Sequence, residues 1–162
     1  MKIIIVDDKD NVIDSKEREA LDYSKDIYRV SALWVLNNKK EILLARRALS
    51  KKQNPGKWGP AVAGTIEEGE TYESNIVKEA EEELGLKNIN PKKGFKELVL
   101  GQYKHFTQWF ILKKDIDLDK LKINKDEVAQ VGWFNEKQLL EKIDTNSDDV
   151  LKDMKGWFEK FR

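Results

Sequence analysis

Residues 64–86, Gly-Thr-Ile-Glu-Glu-Gly-Glu-Thr-Tyr-Glu-Ser-Asn-Ile-Val-Lys-Glu-Ala-Glu-Glu-Glu-Leu-Gly-Leu, hold eight Glu and one Lys. On a helical wheel with Glu79 at zero, Glu82 falls at about −60° and Glu83 at about +40°, so three carboxylates share an arc of roughly 100°. Ile76, Ala80, Leu84 and Val77 lie beside that arc. One flank can therefore pack on a sheet while the next presents like charges. Such charges three and four residues apart destabilise a helix by a few tenths of a kcal/mol per pair. A hard divalent cation would offset the repulsion, because Mg²⁺ takes oxygen ligands from carboxylates, substrate phosphates and water. The competing reading is a solvated charged face, which is what a charge run usually means.

The segments around this stretch are those that must hold it in place. Thr71 is placed to N-cap a helix running to Leu84, and Gly85 to end it. Gly59–Thr65 is small and apolar enough for a buried strand leading into it. Upstream, Ile3–Val6 and Val12-Ile13 flank a polar turn, and Lys16–Tyr23 reads as a brief helix or turn. Tyr28–Leu36 and Glu41–Arg46 form a hairpin about Asn37-Asn38. Downstream, Phe95–Tyr103, His105–Leu112 and Val128–Phe134 read as strands, and Glu136–Ile143 as a helix. A last helix over Asp149–Phe161 would dock through Val150, Met154, Trp157 and Phe161. Mixed strands and helices predict an α+β class with a mixed sheet.

The spacing in the Glu-rich stretch narrows the chemistry. Gly64, five residues, Glu70, seven residues, Lys78-Glu79-Ala80-x-Glu82-Glu83-x-Gly85-Leu86 closely resembles the box of the Nudix hydrolase family. The preceding hairpin, the Pro55-Gly56-Lys57-Trp58 loop and the late Asp126-Glu127-Val128…Trp133-Phe134 also resemble family segments. The added N-terminal hairpin is similar to the branch related to isopentenyl-diphosphate isomerase. The resemblance implies an α/β/α sandwich with a mixed sheet in one domain over residues 1–162. Its parts would be a hairpin extension at 1–26, a core at 28–143 and a C-terminal helix at 146–162.

By the same resemblance Glu79, Glu82 and Glu83 hold Mg²⁺, or Mn²⁺ in its place, with the Gly64 carbonyl, and Glu70 supports the helix and loop. Glu127 stands where some relatives carry a further metal-binding or base carboxylate. One departure is plain: the family's box Arg is Lys78 here. A planar guanidinium can bridge two carboxylates, whereas an ammonium is a flexible point charge.

The expected reaction is attack of a metal-activated water on phosphorus, with Glu82, Glu83 or Glu127 taking the proton. The substrate would be a small diphosphate, by resemblance nucleotide-derived. A basic loop, Arg46 to Lys57, contains five bases and no acid. Arg46, Arg47, Lys51 and Lys57 are thus candidates for holding the outer phosphate. Tyr28, Trp34, Phe106, Trp109 and Trp133 could stack on a base, though each is more often core. His105, the only His, has no assigned role.

Composition closes several routes. There is no Cys, which excludes thiol chemistry and disulfides. Isomerase chemistry in the resembling branch relies on a Cys in the strand before the box, and the nearest position here is Ala63. Lys+Arg and Asp+Glu are equal at 30 each, which argues against a nucleic-acid partner. No stretch approaches the roughly 20 apolar residues that a membrane span needs, so a cytoplasmic protein is expected. Monomer and homodimer both stay open. The alternative to a hydrolase is a Nudix-like module that binds a nucleotide and cleaves it weakly or not at all.

Overall fold

The structure is a computed structural model that describes residues 1–162. Its chain order is β1 (Lys2–Val6), β2 (Val12–Glu17), β3 (Ile27–Leu36), β4 (Ile42–Arg47), β5 (Trp58–Pro60), β6 (Val62–Thr65) and α1 (Tyr72–Leu84). Then come β7 (Lys92–Leu100), β8 (Lys104–Lys113), β9 (Val128–Phe134), α2 (Glu136–Thr145) and α3 (Met154–Phe161). All nine strands join one sheet. The sheet is mixed, because β8 runs parallel to β3 from Tyr28↔His105 to Leu36↔Lys113 while the other ladders are antiparallel.

β3 organises the molecule. β8 occupies one side of it throughout, and three strands share the other side in turn. β1 pairs at Ile27 and Tyr28, β6 at Val30–Leu33, and β4 at Val35 and Leu36. Alternation along β3 then sorts side chains into two layers. Leu33 and Val35 join Ile76, Ala80 and Leu84 of α1 in one buried cluster. Ala32 and Trp34 join Trp109, Leu139, Met154 and Phe158 beneath α2 and α3 in the other. The result is the expected α/β/α sandwich with an added N-terminal hairpin.

Two expectations need correction. The strand expected over Gly59–Thr65 breaks at Ala61 into β5, paired to β4, and β6, paired to β3. The short apolar run changes partners there, a long-range event that local composition does not record. The last helix begins at Met154 and not at Asp149. Val150 is extended and bridges Trp58 in parallel, with the Leu151 amide donating to the Trp58 carbonyl at 3.0 Å. This sheet-edge pairing competes with helix for the same backbone. Val150, Met154, Trp157 and Phe161 nevertheless all pack in the layer beneath α3.

α1 is capped as its sequence requires. Thr71 and Ser74 form a reciprocal capping box, and Gly85 ends the helix at φ 70°. The Gly85 and Leu86 amides return to the Glu81 and Ala80 carbonyls, so both helix ends are fixed. No helix is long and apolar enough to cross a membrane.

Candidate active site

Gly64 is the penultimate residue of β6, where α1 packs against the strand. A Cβ on Gly64 would lie 2.8 Å from Cδ of Glu79 and 2.9 Å from Oδ1 of Asn75. Glycine is therefore needed so that the Glu79 side chain can rest on the strand. Asn75, one turn earlier and fully buried, bonds the Ser31 hydroxyl of β3 and donates to the Thr65 carbonyl at 3.1 Å and to Glu70 at 3.2 Å. These contacts fix the rotation of α1 against the sheet. Asn75 was not among the residues singled out from sequence. Its signal was there, since Asn is a poor choice for a helix interior unless its amide is used.

Glu70 ties the connecting loop together. It accepts the Glu67 amide at 2.8 Å and Lys78 Nζ at 2.6 Å. Those donors hold its carboxyl below the ordinary range despite burial, which acts the other way. Lys78 also lies 3.6 Å from Glu67 and 3.7 Å from Glu79. The ammonium thus reaches one metal-ligand candidate and two loop carboxylates, with its short contact to Glu70 alone.

The wheel placed the three carboxylates beside the buried flank, but the structure puts two of them inside it. Glu83 is 9% exposed, and Glu79 is partly buried, whereas Glu82 and Val77 face solvent. The Glu83 carboxyl has no hydrogen-bond or ion-pair partner. Burial, with the fields of Glu79 and Glu127, pushes its pKa up to about 9. Glu79 is also raised, by burial first and then by Glu82, Glu70 and Glu127 against the opposing pull of Lys78.

Glu127 arrives from a different element. The Lys122 and Asn124 amides donate to the Leu84 and Glu83 carbonyls at 3.0 and 2.9 Å, which hangs the segment before β9 from the end of α1. The Glu127 carbonyl accepts the Ala48 amide at 3.0 Å, and its side chain meets Lys51 at 2.5 Å. Arg47 lies on the same face, half-buried and within the fields of Glu83 and Glu127, with Nε donating to the Gln53 carbonyl at 2.9 Å.

The basic loop is divided. Arg46 and Arg47 are neighbours on β4 and so point to opposite faces of the sheet. Arg46 follows Leu44 into the α3 layer and donates Nε to the Gly56 carbonyl at 2.8 Å. Lys57 lines a shallow groove with Asp148, Leu151 and Lys155. Arg47 and Lys51 therefore stand beside the acidic cluster, and Arg46 and Lys57 stand away from it.

Base stacking on Trp34 or Trp109 is excluded by position, since both are sealed in the α3 layer, at 1% exposure each. Trp133 and Phe106 are packing residues. Tyr28 stacks on His105 at a centroid distance of 5.3 Å and faces Gln53 of the basic loop. His105 spends Nδ1 on the Tyr103 carbonyl at 2.8 Å, and burial lowers its pKa.

In this conformation no three acidic or imidazole side chains converge tightly enough to encircle one ion. The donor set still fits a hard divalent cation. It offers oxygens only, and its most buried carboxylate, Glu83, feels Lys51 and Arg47 only at a distance.

A NUDIX domain family model matches residues 26–154. The chain belongs to the Nudix family. An uncharacterised Nudix hydrolase of Yersinia pestis is 27% identical over 161 residues, covering 96% of this chain and 85% of that one. Isopentenyl-diphosphate Delta-isomerases of Escherichia coli are 30% identical over 118 residues, covering 68% of this chain and 63% of theirs. Among solved structures, DR0079 from Deinococcus radiodurans superposes with a TM-score of 0.83 at 21% identity, covering 100% of both chains. The Nudix domain of Shewanella oneidensis NrtR, solved with ADP ribose, gives 0.60 at 16% identity over 78% of this chain and 82% of that one. This Nudix chain is accordingly a hydrolase by family, and Nudix hydrolases generally cleave diphosphate linkages with the help of divalent metal ions.

Proposed function

We propose that this Nudix chain hydrolyses a diphosphate linkage in a small, nucleotide-derived substrate with Mg²⁺, or Mn²⁺, held by Glu79, Glu82, Glu83 and the Gly64 carbonyl. The observation that carries the reading is Glu83, a buried carboxyl with no partner in the cluster to which Glu79 and Glu127 belong. When bound, the cation would neutralise phosphate oxygens and the carboxylates around them. The chain's own residues supply the rest. Arg47 and Lys51 hold the outer phosphate on the face of the acidic cluster. Arg46 and Lys57 do not share this role, because they stand on the other face.

Water oxygen forms the new bond to phosphorus, the bridging P–O bond breaks, and the bridging oxygen leaves on the second phosphate. The proton released by water goes to a carboxylate. Glu82 or Glu83 takes that role first, with Glu127 as the runner-up. Glu127 is engaged by Lys51 at 2.5 Å, which ties its carboxylate to the basic loop. All parts of the chain serve one catalytic domain, in which the hairpin of residues 1–26 and the helix of residues 146–162 flank the core at 28–143.

The reading is tested with nucleoside diphosphates and triphosphates, nucleotide sugars and dinucleotides, with and without Mg²⁺, on wild type and Glu83→Gln. Phosphate or nucleotide release that needs both the cation and Glu83 supports it and names the substrate class. A second reading, a nucleotide-binding module with little turnover, is favoured by the incomplete convergence of the carboxylates and by Lys78. Tight binding without release would select it. Isomerase activity is disfavoured, because Ala63 stands at the nearest position to the required thiol and the chain has no Cys.

A further inference from the structure

We infer that the N-terminal hairpin sets the geometry of the Gly64–Glu79 pair and that Asp10 is its positioning residue, a role that rests on reading that pair as metal ligands. The hairpin precedes the matched residues 26–154, so nothing common to the family assigns it a part in the site. β1 pairs with β3 only at Ile5↔Tyr28 and Val6↔Ile27, and its earlier residues run beside the loop that follows Gly64. There the Ile4 amide donates to the Ile66 carbonyl at 3.3 Å, the Glu68 amide donates to the Lys2 carbonyl at 2.8 Å, and Ile3 bridges Glu67. The same loop is gripped from its other side by Glu70, through the Glu67 amide.

Asp10 closes the second contact. It sits at the hairpin turn with φ +65°, and its side chain is 7% exposed. Its carboxylate accepts Arg29 Nε at 2.7 Å, Lys96 Nζ at 2.8 Å and the Tyr72 hydroxyl at 2.9 Å, and its carbonyl accepts the Arg29 guanidinium at 2.8 Å. Arg29 and Lys96 also lie over the Tyr72 ring. Tyr72 is the first residue of α1, and Glu79 stands about two turns further along the same face. The hairpin therefore holds both the loop after Gly64 and the start of the helix that carries Glu79. Because Glu79 rests directly on Gly64, a small slide of helix against loop separates the two. Three charge-assisted or hydroxyl donors on one carboxylate at the helix start oppose that slide.

The test compares wild type with Asp10→Gly, which deletes the side chain without adding strain at positive φ, and with Asp10→Asn, which keeps an acceptor for Tyr72. Lys96→Ala removes one partner only and serves if Asp10→Gly fails to fold. Met154→Ala, at the start of α3 in the opposite layer, is the control for simple loss of stability. Two readouts need no substrate: Mn²⁺ affinity by electron paramagnetic resonance, and amide hydrogen exchange at residues 66–70. Asp10→Gly is expected to weaken Mn²⁺ binding tenfold or more and to speed exchange at Ile66 and Glu68. Asp10→Asn should fall between it and wild type, and Met154→Ala should keep Mn²⁺ affinity within twofold despite a lower Tm. Unchanged Mn²⁺ affinity in Asp10→Gly overturns the inference, as does a loss no greater than that of Met154→Ala. If wild type binds no Mn²⁺, the metal reading itself fails. Exchange at residues 66–70 then still decides whether Asp10 orders the loop, and wild-type protection in Asp10→Gly refutes that.

Discussion

At the scale of single residues, the site is governed by the contrast between a carboxylate that has partners and one that has none. Glu70, with Lys78 and a backbone amide, is held ionised, whereas Glu83 is held protonated up to about pH 9 in the metal-free chain. The unfolded chain releases that proton near pH 4.5. The folded state therefore binds the extra proton between these values, and stability falls as pH rises through the interval. Thermal unfolding in EDTA should show Tm declining from pH 5 to pH 9, and Glu83→Gln should flatten the decline. Each kcal/mol relieved corresponds to about 2–4 °C at this chain length. Mg²⁺ should raise Tm more at pH 8 than at pH 6. A second prediction concerns Gly64→Ala. Its Cβ would displace Glu79, so hydrolysis should fall by about 10- to 100-fold, a loss of roughly 1.4–2.7 kcal/mol in transition-state binding, while circular dichroism stays native. Spacing made these carboxylates legible, because four Glu and two Gly in register point to one box. The burial of Glu83 was not legible, since a wheel orders side chains without saying where the sheet lies.

Among the elements, the reading from sequence was accurate where structure is local and failed where distant segments meet. The Thr71 cap, the Gly85 stop and the Asn37-Asn38 hairpin are local and fall where expected. The break at Ala61 and the late start of α3 are not, because β3, β4 and Trp58 decide them from afar. The grip of β1 on residues 66–68 has the same origin and leaves no trace in either segment's own composition. α3 invites a direct test at this scale. Met154 is fully buried against the Trp34 and Trp109 layer. Met154→Ala should cost about 2–5 kcal/mol by urea unfolding, and at saturating Mg²⁺ the surviving folded fraction should retain normal kcat. A matching loss of kcat would mean that the layer beneath α3 reaches the chemistry.

Over the whole molecule, one strand joins everything: β3 touches β1, β6, β4 and β8, and through them both layers and the acidic cluster. Its longest ladder is the parallel one to β8, which must wait for everything between Leu36 and Lys104 to be drawn together. Contacts so distant in sequence make folding slow. They also make the site a late product of it, because Glu127 reaches Glu83 only after the segment before β9 hangs from the end of α1. A cation that needs these carboxylates together has nothing to hold in the transition state for folding. Mg²⁺ at about 100 times its Kd, worth about 2.7 kcal/mol to the native state, should then leave the refolding limb of a stopped-flow chevron unmoved. The unfolding limb should drop about 100-fold. Cation supply would in that case govern how long a finished molecule lasts and leave untouched how fast a new one forms.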